Sequence, residues 1–354
     1  MESQSGVEGV DDNAEIDDRA LTVEDDLIKR LKRIDRVVKS VVECDEDLFY
    51  VRLRGGKPTL GSLRLGKALI SVLVVGEYEY SYYFPLHNVS PYADLLFRCV
   101  ERLEDPFLPY MINNLLAHEI GRAVCFLNEL VDDIKSEAHS TKFKKTIRRF
   151  DKAARKRSKS LSQYVEALFN KHSRLLVVRV DLSYRSEYFQ TEELREKVKQ
   201  VKNDWSKMQR DLYQGIPVPG MLGFACKLEY GHLKGFHFHL LVFYDGAKYR
   251  KDIVLAKLIG KHWAEVITNG RGTYYNCNKN KGKYRRLGIG VINHFDSEKV
   301  SNLKGYVSEY LVKVDYWVRL LPECGRVFFR GNMPKMKSLR RGRPRGSFKT
   351  TSNI

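Results

Sequence analysis

Residues 220–246 read GMLGFACKLEYGHLKGFHFHLLVFYDG, and this stretch decides the fold. Gly220–Tyr230 reads as a strand, Gly231–Gly235 as a turn, and Phe236–Tyr244 as the returning strand, closed by the turn pair Asp245-Gly246. Successive side chains of a strand point to opposite faces. Phe236, Phe238 and Leu240 therefore share one face, while His237 and His239 share the other. The five-residue turn sets Glu229 beside His237 across the hairpin. Glu229, His237 and His239 then converge from adjacent strands as a mixed oxygen and nitrogen donor set for a divalent cation. His232, in the turn, is an alternative third ligand. Taken alone, an H-x-H pair is more often two half-exposed histidines with no ligand role, and the adjacent carboxylate shifts that balance.

Working outward, Leu175–Leu182 (LLVVRVDL) reads as a buried strand, preceded by a helix over Ser160–Lys171. Glu192–Tyr213 reads as a helix with Thr191 as N-cap, and Lys251–Glu265 as another. Leu287–Phe295 is strand-like, Ser297–Val312 helical, and Arg326–Phe329 a short strand. The order βαββαβαβ predicts an α+β fold, a central antiparallel sheet with helices on one side. A mainly helical N-terminal region precedes it. It opens with Leu27, Ile28, Leu31, Ile34, Val37, Val38 and Val41 at helical spacing, and the aromatic run Tyr78–Phe84 reads as strand or loop.

The 354 residues carry 62 Lys+Arg against 44 Asp+Glu, a formal net charge of +18. Residues 1–26 have a net charge of −9 and too few apolar side chains to pack, which leaves +27 on residues 27–354. Such an excess points to a polyanionic partner, most commonly nucleic acid. We divide the chain into a disordered acidic arm (1–26), a mainly helical accessory domain of unassigned role (27–159), a sheet domain (160–334) and a basic tail (335–354). The basic run 142–159 fits a solvated helix face and a phosphate-tracking surface equally well. Six scattered cysteines without a C-x-x-C pair point to a reducing cytoplasm, here that of a bacterial host. The most membrane-like run, Ala68–Val75, is far short of the roughly 20 residues of a membrane helix, so no membrane partner is expected.

A third element is Tyr306-Val307-Ser308-Glu309-Tyr310-Leu311-Val312-Lys313 on the helix expected after residue 297. Tyr306 and Tyr310 share a helix face that Lys313 continues. A tyrosine can attack phosphorus as a nucleophile, and a nearby ammonium offsets the developing negative charge. The same tyrosines, with Trp317, also fit a plain core-facing helix.

The set Glu229…His237-Phe238-His239…Tyr306-x-x-x-Tyr310-x-x-Lys313 resembles the HUH endonucleases that initiate rolling-circle replication. Asp181-Leu182-Ser183-Tyr184 resembles the first, largely structural motif of that superfamily, and residues 170–345 resemble the inovirus gene-two-like replication proteins of phages and prophages. The resemblance implies an HUH (RRM-like) palm in which His237, His239 and Glu229 hold Mg2+ or Mn2+. Tyr310 would nick one strand of single-stranded or hairpin origin DNA, with Tyr306 as a second candidate nucleophile and Lys313 at the reacting phosphate. The products would be a 5′-phosphotyrosine and a 3′-OH primer, extended by host helicase and polymerase. Alternatives are a transposase or relaxase with the same chemistry, or a non-catalytic DNA-binding regulator.

Two further segments have DNA-binding character. Lys279, Lys281, Lys283, Arg285 and Arg286 are interleaved with tyrosines in a loop expected over 271–286. Arg341, Arg343 and Arg345, in Arg341-Gly342-Arg343-Pro344-Arg345, resemble an AT-hook core that enters a narrow minor groove. Gly61–Ala68 nearly matches a phosphate-binding loop, but Ala68 replaces the hydroxyl that binds Mg2+, and no nucleotide site is expected there.

Overall fold

The structure, a computed structural model, describes residues 18–73, 77–103, 112–185, 194–231, 234–310, 318–320 and 325–334. The N-terminal region comprises α1 (Asp18–Val42), the hairpin β1 (Phe49–Arg54) and β2 (Lys57–Ser62), α2 (Arg64–Leu73) and α3 (Glu77–Tyr83). The short β3 (His87–Val89), α4 (Pro91–Glu101), α5 (Ile120–His139) and the long α6 (Thr141–Lys171) follow. Leu27, Leu31, Ile34, Val38 and Val41 line one side of α1 and are buried in a core with Leu69, Leu95, Leu130 and Phe143.

Three local readings are corrected here. The helix α1 begins at Asp18, inside the stretch expected to be disordered. Tyr78–Phe84 is not extended, since Glu77–Tyr83 is helical. Tyr80 and Phe84, four residues apart, are both buried in the N-terminal core, and this contact outweighs the strand preference of aromatics. The basic run and the helix expected from Ser160 are one helix, α6, which runs across the boundary placed at residue 160. No proline or glycine interrupts it, and Ser140 caps it by accepting a hydrogen bond from the Phe143 amide at 3.1 Å. Gly61 itself lies in a strand, paired with Tyr50, and α2 starts at Arg64. Only one residue, Leu63, separates strand from helix, too few to wrap a phosphate.

The second region comprises β4 (Arg174–Tyr184), α7 (Leu194–Gln214), β5 (Met221–Gly231), β6 (Gly235–Asp245) and α8 (Asp252–Lys261), which continues as a π-helical turn over His262–Ile267. After these come β7 (Gly272–Asn276), β8 (Gly290–Asn293), α9 (Ser297–Tyr310), β9 (Val318–Leu320) and β10 (Phe328–Arg330). The fold is mixed α+β: an antiparallel sheet of six strands behind a helical N-terminal region. Its order is β10-β5-β6-β4, with β7 and β8 pairing opposite ends of the same edge of β4. The strand β7 occupies the start of the expected 271–286 loop. Thr191, the expected cap of α7, lies outside the described residues.

Each long strand sends alternate residues to opposite faces. One face (Leu176, Val178, Phe224, Cys226, Phe238, Leu240) is covered by α7 and α8, with Trp205 of α7 stacked on Phe238 at 5.1 Å between ring centroids. The other face is divided. At one end Leu175, Val177, Ala225, Leu241 and Phe243 are covered by Leu161–Phe169 of α6 and Leu303 of α9. At the other end the same strands carry Arg179, Asp181, Lys227, Glu229, His237 and His239. The N-terminal region is tied to this sheet domain by β3, which pairs with β9, and by Leu86, which enters the core beneath α7. Among the described residues no helix is long and apolar enough to cross a membrane.

Candidate metal centre

The β5–β6 hairpin sets the site. Gly231 pairs with Gly235, Glu229 with His237, and Lys227 with His239. Gly235 closes the turn at φ 58°, a left-handed conformation that favours glycine. His237 Nδ1 lies 3.1 Å from the Gly235 carbonyl oxygen. If that nitrogen carries the proton, Nε2 keeps its lone pair and faces Glu229 Oε2 at 3.5 Å. His239 Nε2 lies 3.1 Å from the same oxygen. One ligand atom from each of Glu229, His237 and His239 lies within 4.8 Å of the others.

A second layer of charge holds this triad. Asp181 of β4 lies opposite His239, with Oδ1 2.9 Å from Nδ1, and is itself gripped by Arg179 through two hydrogen bonds of 3.1 Å. Lys227, 1% exposed, places Nζ 2.6 Å from Glu229 Oε1. Burial raises the pKa of Glu229, but Lys227 and His239 reverse this and hold it well below the carboxylate range. Asp181 is likewise pushed up by burial and brought below its ordinary value by His239 and Arg179. Burial lowers the pKa of His239, yet Asp181 and Glu229 together raise it to about 9. A proton on His239 thus satisfies two carboxylates that a cation would otherwise neutralise.

The donor set fits a divalent metal: two imidazoles and one carboxylate, with a carboxylate behind one imidazole and a carbonyl behind the other to fix ring orientation.

The structure brings together the three sequence-derived ligands and adds Asp181, Arg179 and Lys227, which sequence reasoning did not place at the site. Their signal was the alternation itself: Arg179 and Asp181 are the polar residues of an otherwise apolar strand, two apart, as are Lys227 and Glu229. It also brings His87 from β3. Burial drives the pKa of this histidine down to about 3, although Glu229 acts to raise it. Tyr306 and Tyr310 fall in the last turns of α9, with side chains outside the described residues. Lys313, Trp317, His232 and the tail residues Arg341, Arg343 and Arg345 also lie outside them.

The segment expected to carry bases on a loop is more anchored than its sequence suggests. Lys281 Nζ contacts Asp252 Oδ2 at 2.6 Å, and the same oxygen accepts from Asn278 Nδ2 at 2.9 Å. Tyr274 packs on the core, whereas Tyr275, Lys279, Lys283, Arg285 and Arg286 are exposed.

Fold and site together define an α+β protein with a His/His/carboxylate cluster on one sheet face. Residues 136–317, just over half of the chain, match the family model of the YagK/YfjJ C-terminal domain, and the chain belongs to this family, which is found in prophage-like proteins. No match is found among curated proteins or among solved structures.

Proposed function

We propose that this protein is a metal-dependent DNA strand transferase of the HUH type that nicks one strand at an origin to start rolling-circle replication of a phage or prophage element. The observation that carries the reading is the convergence of Glu229, His237 and His239 within 4.8 Å on the polar end of a sheet face. The helix bearing Tyr306 and Tyr310 packs on the same face through Leu303.

When bound, a divalent cation at Glu229, His237 and His239 supplies Lewis-acid polarisation of a phosphoryl oxygen. The chain's own residues do the rest. Asp181 and the Gly235 carbonyl hold the imidazoles in place, and Lys227 keeps Glu229 ionised. The Tyr310 phenol oxygen forms a bond to phosphorus while the bond from phosphorus to the 3′ oxygen breaks. The phenolic proton ends on that 3′ oxygen, leaving a 5′-phosphotyrosine and a free 3′-OH. The step is an exchange of esters and needs no oxidant or energy source. Lys313 offsets charge on the phosphate, and Tyr306 acts as a second nucleophile.

The test is incubation with Mn2+ and single-stranded DNA from the element's own origin region, watching for a covalent protein–DNA band on a denaturing gel. Wild type forms the band, Tyr310→Phe and His237→Ala lose it, and both variants retain DNA binding. A band of wild-type intensity from Tyr306→Phe/Tyr310→Phe would sink the tyrosine mechanism, and undiminished nicking by His237→Ala would remove the metal site from it.

A further inference from the structure

The strongest feature outside the site is the outer face of α6. Phe143, Ile147, Phe150, Leu161, Val165 and Leu168 define its inner side. At 100° per residue, Lys145, Arg148, Lys152, Arg155, Lys156 and Lys159 fall together on the opposite side, all exposed. From Lys145 to Lys159 this stripe is about 21 Å long.

Two properties set it apart from an ordinary solvated helix face. Such faces mix charge sign, because opposite charges three or four residues apart stabilise a helix and like charges destabilise it. Here Lys145 precedes Arg148 by three residues, Arg148 precedes Lys152 by four, and Lys152 precedes Arg155 by three and Lys156 by four. Asp151 is the one acid in the sequence between residues 138 and 165, and it is turned toward Arg155 at 3.3 Å. The helix therefore carries a self-repelling row that a line of anions would relieve.

The second property is placement. The C-terminal turns of α6 lie on the sheet face that bears Glu229, His237 and His239, covering its apolar end. The helix leaves the sheet beside β10, where Arg330 Nε donates to Ser160 Oγ at 2.8 Å and adds a further cation. The row thus continues a helix that lies on the same sheet face as the metal ligands.

We propose that the outer face of α6 is a sequence-independent track for the phosphate backbone of duplex DNA, holding the double-stranded flank of the DNA that the site cuts. This deepens the nuclease reading and rests on it for the choice of DNA. The row spans the backbone of about six base pairs at 3.4 Å each. Contacts of lysine and arginine to phosphate give affinity without sequence preference and a steep dependence on salt.

The experiment uses the full chain and a fluorescein-labelled 30-base-pair duplex of random sequence, with fluorescence anisotropy read between 50 and 300 mM KCl. Wild type binds, and log affinity falls steeply against log salt. The variant K145E/R148E/K152E/K156E/K159E binds at least tenfold more weakly at 100 mM, and its slope is shallower by about 4–5, since each of the five lost contacts removes about 0.9. The neutral Gln set at the same positions shifts both readings in the same direction, and serves if charge reversal prevents folding. Exchanging Lys for Arg and Arg for Lys at these positions keeps the wild-type slope. Unchanged affinity and slope in the Glu and Gln sets would overturn the proposal, as would wild-type binding to vesicles of anionic phospholipid with none to the duplex. The adduct assay distinguishes the two readings. Wild type that forms no covalent adduct, yet binds duplex through the row, removes the nuclease and leaves the track.

Discussion

Asp181 gives the most informative single perturbation, because it touches the triad through one imidazole. In Asp181→Asn the carboxylate 2.9 Å from His239 Nδ1 becomes a neutral amide of the same shape. The ring then loses the partner that fixes its orientation and strengthens it as a donor. Loss of such an outer partner typically lowers metal affinity about 10–100-fold, or about 1.4–2.7 kcal/mol. A second effect separates this from simple misfolding. In the metal-free protein His239 holds its proton up to a pKa of about 9, so a metal binding below that pH must displace it. Log affinity for Mn2+ therefore rises with pH, by about one per unit, until near pH 9. In Asp181→Asn the proton is held less tightly, and the rise levels off at lower pH. Isothermal titration with Mn2+ from pH 6 to 9.5 reads both quantities, and circular dichroism confirms the fold. Equal affinity and an unmoved plateau in the variant would refute the coupling of Asp181 to the site.

Two further outcomes follow from the same geometry. In EDTA, the raised pKa of His239 contributes stability that is complete below its unfolded value of 6.5 and is lost as pH rises through about 9. The depressed Asp181 and Glu229 contribute stability that is lost as pH falls. Thermal melts of the metal-free protein should decline between pH 6.5 and 9.5 and recover with excess Mn2+; melting temperatures that climb across this window in EDTA would contradict the assignment. Behind the triad, Trp205 is 1% exposed and packs on Phe224, Phe238 and Phe329. Trp205→Ala should cost about 3–5 kcal/mol in urea unfolding, and a loss under 1 kcal/mol would show that α7 is not the support of the ligand-bearing strand.

How much of this was legible in the sequence depended on distance along the chain. Glu229 and His237 are eight residues apart, and turn length plus a period of two place them opposite one another. The pairing of Asp181 with His239 joins residues 58 positions apart through β4 and β6, and no local pattern states that register. For that reason Asp181 reads from sequence only as part of a structural motif, and Arg179 and Lys227 are assigned no role there. His87 is further still, since a strand from the other region brings it in. Local errors had a different origin. In Tyr78–Phe84 the aromatic content suggested an extended chain, while the burial of Tyr80 and Phe84 in one core followed helical spacing. The short β7 hid in a basic context because three of its five residues, Thr273, Tyr274 and Tyr275, are followed by lysines that sequence reading assigned to DNA.

The pairing of β3 with β9 has a consequence for how this architecture can be divided or exchanged. The family-matched segment, residues 136–317, stops one residue before β9 and omits β3 and β10. Cut to that segment, the sheet would end at β5 with its outer row of amides and carbonyls bare, an invitation to edge-to-edge association. It would also lose Leu86 from the core beneath α7 and His87 from beside the triad. Any exchange of N-terminal regions between such proteins would therefore have to carry a compatible three-residue strand. A domain that holds its own ligand cluster is still finished by its neighbour.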